Sequence, residues 1–428
     1  MTAYLLRKLA LAIPLLLVVS TVVFGMVHMI PGDPIDFIIG ENAELSAQQE
    51  LRRSYHLDKP VLINLRPWVS RDRVAELVAR SGSREPDSPP TSAKEEEAWE
   101  ELTDLGWWAV PHLLKTWKDP SSETAQARRA RAALMEIARI EGRTDTPETA
   151  DQSRDVDQAL RGWFEEREEQ VHPSLGGRLS ALFLDTQYAR FFADLFAGEL
   201  RSIHSNQPVL QTLRTRFGYT MKLAGSALLV AMLVAIPVGT LAASRQYSWV
   251  DNLSMVGALV GISMPNFWLG PLLIIAFAIE LGWFPVSGAD SSSSIVLPAI
   301  TLGLGMSAIL TRITRSSVLD TVKQDYVRTA RAKGLSPLRV LIRHALRTAL
   351  IPVVTILGLQ FGALLAGSII TEEIFGWPGL GRGIIDAINS RDFPMIQGCV
   401  LVIATTYVVV NTVTDFVYTL VNPQVRLD

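Results

Sequence analysis

Six long apolar runs set the first limit on what this chain can become. They cover approximately residues 9–30, 217–243, 253–281, 295–316, 349–371 and 396–420. A bilayer core asks for about 20 apolar residues in helical form, and each run meets that length. Inside lipid a single segment satisfies its own backbone polar groups only as a helix. The runs therefore predict an all-α, polytopic membrane protein with six transmembrane helices. The long connection at 31–216 is different in kind, because residues of about 66–186 are charged and hold few long apolar runs.

Lys and Arg near the spans predict the direction of insertion. Arg7 and Lys8 precede the first run and hold the N-terminus inside. That run is longer than a signal-peptide core and shows no small-x-small cleavage site before "PGDP", so it reads as a retained anchor. Arg245 puts the second connection inside, while "GWFPVSGADSSSS" at 282–294 has no basic residue and belongs outside. The connection after the fourth run holds Arg312, Arg315, Lys323, Arg328, Arg331, Lys333, Arg339, Arg343 and Arg347 against Asp320 and Asp325. It must be cytoplasmic. Both termini then lie inside, and the long 31–216 connection lies outside.

Bulk electrostatics nominates no partner, since the formal net charge is −3 over 428 residues. Cys399 is the only cysteine and sits in an apolar run, which leaves no disulfide or thiolate metal cluster and makes it a small hydrophobe. No Gly-x-x-x-x-Gly-Lys-Ser/Thr loop is present to cradle a phosphate, and no His, Asp and Glu cluster has metal-ligand spacing. These observations point away from an enzyme.

Positive charge on the inside accounts for the basic loop's composition but not for its pattern. In "DYVRTARAKGLSPLRVLIRHALRTALIP" at 325–352, Asp325 to Lys333 predicts a short helix carrying Tyr326, Ala330 and Ala332 among the charges. Gly334 suits the left-handed position that ends a helix. Ser336 and Pro337 read as N-cap and first residue of a second helix that runs through Leu346 towards the fifth span. The result is a helix, a sharp turn and a helix, with small residues near the bend.

This segment resembles the coupling loop of the membrane subunits of ABC importers. "TARAKG" carries the small residues and Gly334 of that pattern, and "RHALRTALIP" occupies its tail. The general pattern has Leu-Pro in the tail, whereas this chain has Leu346-Arg347 with Pro352 later. That departure is similar to the B-type permease subunit of the dipeptide/oligopeptide/nickel importers. "MIPGDPI" (29–35), "GISMPNFWLG" (261–270), "LGWFPVSG" (281–288), "IFGWPGLGRGI" (374–384) and the closing "LVNPQVR" resemble the same subfamily. The likeness covers about 1–64 and 187–428.

The resemblance implies the type I importer permease fold and a division of labour. The chain itself binds no cofactor, and ATP with Mg is bound by two partner ATPase subunits or domains. A second homologous permease subunit would complete the pore, and a periplasmic or extracellular binding protein would deliver the solute. The lipid bilayer is the surrounding phase, and no nucleic acid is implied. Within the coupling loop of 312–347, the resemblance assigns ATPase docking to Asp325, Tyr326, Arg328, Ala330, Ala332, Lys333, Gly334 and His344. Peptide is the expected cargo, with nickel chelates, glutathione or oligosaccharides as alternatives.

Ser263, Asn266, Gln360, Ser368, Thr371 and Glu372 are polar groups in or near spans, where desolvation is expensive. Two readings stay open for them: lining the translocation path, or bonding to neighbouring helices. Asn411 and Asp415 read as anchoring groups near the end of the last span, and His28 as an interfacial group with no ligand role. Residues 372–395 hold too many Gly and Pro for a simple turn, and by resemblance form an outside loop with a short helix.

Residues 66–186 have no counterpart in the resemblance, which gives three parts: 1–65, the insertion at 66–186, and the permease core at 187–428. "KPVLINL" and "YARFFADLFAGEL" read as halves of one loop split by that insertion. Inside it, Val110, Leu113, Leu114 and Trp117, then Ala130, Ala133, Leu134, Ile137 and Ala138, repeat at helical spacing on either side of Asp119–Pro120. This pair resembles one HEAT-type unit, with flanking helices near 68–80, 94–105 and 153–170. "SGSREPDSPPTSA" at 81–93 has linker composition. The runs "KEEEAWEE" and "FEEREE" are solvated helix faces or, alternatively, a docking surface for the binding protein. Two other classes compete with the importer reading: a secondary transporter, for which paired intramembrane charges or inverted repeats are needed, and a membrane-anchored scaffold or sensor working through the insertion.

Overall fold

The computed structural model describes residues 2–29, 34–35, 51–82, 92–117, 124–140, 160–167 and 174–421. Asp119–Pro120, most of the 81–93 linker, part of "MIPGDPI" and the end of "LVNPQVR" lie outside the described residues. The chain divides into two compact units, Met1–Asn42 with Asp194–Asp428, and Ala43–Ala193.

The first span is α1 (Thr2–Val27). The second unit contains α2 (Arg71–Arg80), α3 (Ala93–Asp104), α4 (Val110–Thr116), α5 (Ala125–Ile140) and α6 (Leu175–Leu184), and runs into α7 (Gln187–Ala197). Ser70 and Ser92 begin α2 and α3 as N-caps, their hydroxyls accepting from Arg73 N at 3.2 Å and Glu95 N at 3.4 Å. The apolar faces meet in one core where Leu77, Leu102, Leu113, Leu134, Ile137, Leu160 and Phe164 are fully buried. Val110, Trp117, Ala130, Ala133 and Ala138 join them as their spacing predicted, and Leu114 packs at the edge. The segments on either side of residues 66–186 are bonded to each other. Gln187 N donates to the Pro60 carbonyl at 2.9 Å and Tyr188 N to Val61 at 3.1 Å. Lys59 pairs with Asp185 at 2.8 Å.

In the other unit, α1 is joined by α8 (Val209–Ser244), α9 (Trp249–Ser263), α10 (Asn266–Leu273), α11 (Val296–Val322), α12 (Asp325–Ala332), α13 (Pro337–Arg339), α14 (Arg347–Ile374), α15 (Leu380–Asn389) and α16 (Phe393–Val421). Wider π-helical turns at Ile274–Glu280 and Val340–Leu346 extend α10 and join α13 to α14. Among the described residues five helices are long and apolar enough to cross a bilayer, six when one bent pair counts as a single span.

That pair departs from the straight third span the hydropathy predicted. Between α9 and α10 the chain bends by 103°. Pro265 has no N–H for the Gly261 carbonyl, and its ring drives the preceding residue out of the helical region. Met264 accordingly sits at φ −85°, ψ 116°.

The bundle core is built on close approach of α8 to α11. Ala224, Ala227, Ala231 and Ala235 form a buried stripe on α8 facing Leu302, Met306 and Leu310. A Cβ at Gly303 would lie 2.8 Å from the Ala227 carbonyl oxygen, and one at Gly239 would lie 2.7 Å from that of Thr311. Glycine is needed wherever backbones come this near.

Candidate functional sites: the basic hairpin and the helix-break cleft

The basic hairpin is formed by α12, the turn at 333–336 and α13. Asp325 lies in the first turn of α12, where a carboxylate complements the helix dipole. Gly334 ends the helix with φ +77° and donates its N–H to the Arg331 carbonyl at 2.9 Å. Ser336 is extended and its carbonyl accepts from Val340 N at 3.0 Å, but its hydroxyl makes no capping bond. Pro337 at the first helical position supplies the preset φ in its place.

The hairpin holds its shape through a core of its own. Val327, Ala330 and Val340 are buried together with Leu335 packed on them. The Tyr326 hydroxyl donates to Thr348 Oγ1 at 3.0 Å and to the His344 carbonyl at 3.4 Å, tying α12 to the start of the fifth span. Arg328, Ala332, Lys333 and Gly334 remain exposed. The structure thus turns the small and basic residues of the bend outward on a rigid support. Of the assigned residues, Ala330 alone is buried, as part of that support.

The second site lies at the break between α9 and α10. A cleft of about 320 Å³ opens there, lined by Gly261, Met264, Pro265, Asn266, Gly305 and Gln360 with apolar neighbours from α11 and α14. Gly305 admits the Asn266 side chain, since a Cβ there would stand 3.1 Å from Asn266 Oδ1. Of the polar span residues singled out from sequence, Asn266 and Gln360 meet in this cleft. Ser263 is exposed and outside its lining.

Ser368 and Glu372 belong to a different, closed cluster. Glu372 is fully buried at the end of α14. Its Oε1 accepts from Thr220 Oγ1 at 2.8 Å and from Ser368 Oγ at 3.3 Å. Its Oε2 accepts from Gly381 N at 2.7 Å and Arg382 N at 3.2 Å. The carboxylate therefore satisfies the first N–H groups of α15, whose own N-cap, Gly379, has no side chain to offer. A Cβ at Gly381 would reach 2.6 Å from the Ile369 Cα, so the "PGLG" spacing makes room for this joint between α8, α14 and α15. Thr371 Oγ1 is buried beside it with no hydrogen-bond partner among the described residues.

Three polar pairings escaped sequence reasoning. Asp251 at the start of α9 takes two bonds from Arg315 of α11, at 2.5 and 2.7 Å. Lys8 of α1 pairs with Asp415 of α16. Asp392, buried before α16, accepts from the Ser202 hydroxyl. A lone carboxylate at the end of an apolar run was the available signal, but its partner lies far away in sequence.

These features describe a polytopic all-α bundle with a basic hairpin and a broken span. Comparison with known proteins carries this to a family. The model described as binding-protein-dependent transport system inner membrane component matches residues 235–427. The N-terminal model of the same membrane component matches residues 1–91. The glutathione transport system permease protein of Salmonella paratyphi A is 43% identical over 244 residues, covering 57% of this chain and 80% of that protein. Its counterpart in Escherichia coli K12 is 43% identical over 241 residues, covering 56% and 79%. Among solved structures, an amino acid ABC transporter bound to histidines aligns over 50% of this chain and 95% of its own, with 18% identity and a TM-score of 0.39. The chain belongs to the binding-protein-dependent transport system inner-membrane components. It is a multi-pass inner-membrane permease subunit of an ABC importer, works with ATPase and substrate-binding partners, and is not an enzyme.

Proposed function

We propose that this permease forms half of a translocation path for peptide-like solutes and is driven through the basic hairpin at 325–347. A second homologous permease completes the path, two ATP-binding subunits or domains hold ATP and Mg, and an extracytoplasmic binding protein delivers the cargo. Both termini and the hairpin face the cytoplasm, while the helical insertion at 66–186 projects on the other side. The stitched ends of the split loop support the insertion reading, because the flanking residues pair as one loop would without it. The glutathione permeases among the relatives make a small peptide the favoured cargo.

The observation that carries this reading is the hairpin's construction. A small internal core braces a sharp glycine turn whose outward face carries Arg328, Ala332 and Lys333. Such a rigid projection transmits force, where a loose loop would absorb it. Tyr326 sets its pose relative to the fifth span through Thr348 and the His344 carbonyl, and Asp325 opens α12. Asn266 and Gln360 line the path, Ser263 lies at its margin, and Ser368 and Glu372 hold the frame at the other end of α14.

Gly334→Val tests the coupling. A left-handed conformation costs a residue with a Cβ roughly 1–2 kcal/mol, so the turn should shift and solute uptake should fall by about tenfold. Membrane insertion and the amount of chain in the membrane should stay unchanged. Normal uptake and normal solute-stimulated ATP hydrolysis in this variant would contradict the assignment.

A further inference from the structure

We infer that the cleft at the α9–α10 break is a solute site that reads uncharged peptide groups rather than the charged ends of its cargo. The inference rests on the peptide-transport reading above and gives it a chemical basis within the permease itself.

Three features of the cleft point the same way. Asn266 and Gln360 each present an amide with one acceptor oxygen and two N–H donors. Neither side chain has a hydrogen-bond partner among the described residues, so both are free to receive one. The break itself adds backbone polarity. Pro265 leaves the Gly261 carbonyl without its helical donor, and the Asn266 N–H precedes the first backbone bonds of α10, which run from Trp268 N and Leu269 N to the Pro265 carbonyl at 3.0 and 3.1 Å. The cleft thus offers neutral donors and acceptors side by side, the complement of a secondary amide.

The third feature is a matter of charge. Among the described residues lining the cleft, no side chain is charged; beyond the two amides they are Gly, Ala, Pro, Met, Ile and Leu. Moving a carboxylate or ammonium there without a counter-charge would be far costlier than moving an amide that gains two hydrogen bonds. Peptide termini must therefore stay hydrated or pair elsewhere. The volume, about 320 Å³, accepts a short stretch of backbone with small side chains and not a whole folded oligosaccharide. Gly305 makes room for the Asn266 side chain, since a Cβ there would stand 3.1 Å from Asn266 Oδ1.

The test uses the assembled transporter with its ATPase subunits in lipid. The native chain is silent to thiol reagents in this region because its one cysteine, Cys399, is completely buried. Ala363→Cys places a reporter on the cleft wall without removing either amide, and Ile309→Cys does so from the facing helix should the first variant fail to assemble. An uncharged maleimide is the label. The probes are trialanine, its N-acetylated and C-amidated form, and maltotriose. Both peptides should slow labelling equally, by about tenfold once each is at about ten times its Kd, and maltotriose should have no effect. Adding Gln360→Leu or Asn266→Leu should weaken protection by about tenfold, the loss expected for an abandoned buried hydrogen bond.

Absence of protection by either peptide would overturn the inference, as would protection by the free peptide alone, by maltotriose, or undiminished in the Leu variants. A reporter that never reacts in an assembled transporter would overturn it too. ATP supplies the control on the parent reading. If peptides protect but ATP never changes the labelling rate, the site stands and the coupling assignment falls.

Discussion

In the unit at 43–193 the largest fully buried side chains are Leu77, Leu102, Leu113, Leu134, Ile137, Leu160 and Phe164, with Ala109, Ala130 and Ala133 filling in between them. Along the α8–α11 seam of the membrane unit the fully buried side chains include Ala224, Ala227, Ala231 and Ala235, with Gly239 and Gly303 at the closest points. The difference follows from the two solvents. In water, burying a large apolar side chain is itself the driving force, worth about 1.5–3 kcal/mol each. In lipid the surroundings are as apolar as leucine, so helices gain from close backbone packing and from polar bonds between helices. Small residues maximise the first, and Glu372, Asp251–Arg315 and Lys8–Asp415 supply the second.

Opposite substitutions should therefore damage the two units. The largest effect is expected from Phe164→Ala. It empties the centre of the insertion's core, where Trp107 and Trp163 pack on the Phe164 ring at 5.7 and 5.0 Å. A buried Phe→Ala change costs about 3–5 kcal/mol. Hydrogen exchange should accelerate in α2 to α5 of the full chain, and unchanged exchange there would break the contrast.

Gly303→Val comes next, at about 1–3 kcal/mol for an overpacked position. The added side chain meets the Ala227 carbonyl and Val230 Cβ, both at 2.8 Å, and backbone cannot step aside as a flexible side chain would. Thermal stability of the detergent-solubilised chain should fall, and a gain in stability would show that close approach is not what holds this seam.

The smallest effect concerns pH and the one histidine packed beside the core of the unit at 43–193, among the described residues. Burial holds His112 below its ordinary value of 6.5, helped by the positive charge of Lys115. Its Nδ1 is buried with no hydrogen-bond partner among the described residues. The unfolded chain then binds a proton more readily than the folded one, so stability is fully present above about pH 6.5 and is lost as pH falls towards the lowered folded value. Protection factors in α4, taken relative to the intrinsic exchange rate at each pH, should fall as pH is lowered from about 7.5 to about 5.5, and His112→Leu should remove that dependence. A variant with the same pH response would assign it to another group.

Much of the architecture was legible because lipid imposes a coarse rule on sequence. The apolar runs located five long apolar helices and the bent pair at the third run, and the helical repeat at Ala130, Ala133, Leu134 and Ile137 picked out a buried face correctly. Gly334 was readable as a left-handed turn because few other residues adopt one. The bend at Met264–Pro265 was less legible, since a proline within a membrane span more often produces a modest kink. Ser336 misled in one respect, because the residue type suited a cap while its hydroxyl makes none. The polar span residues could be singled out but not sorted. Nothing in the local sequence says that Gln360 meets Asn266 across a cleft while Glu372 reaches Thr220 and the start of α15.

What the sequence by itself determined is therefore what depends on near neighbours and on solvent: the long apolar helices, the all-helical class and the glycine turn. Tertiary structure alone decided which distant polar groups pair and which line an open cleft. The reason is energetic. Hydropathy and turn chemistry are properties of a few adjacent residues, but in lipid a carboxylate or amide is stable only against a partner, and the fold chooses that partner from more than a hundred residues away, as Thr220 is from Glu372.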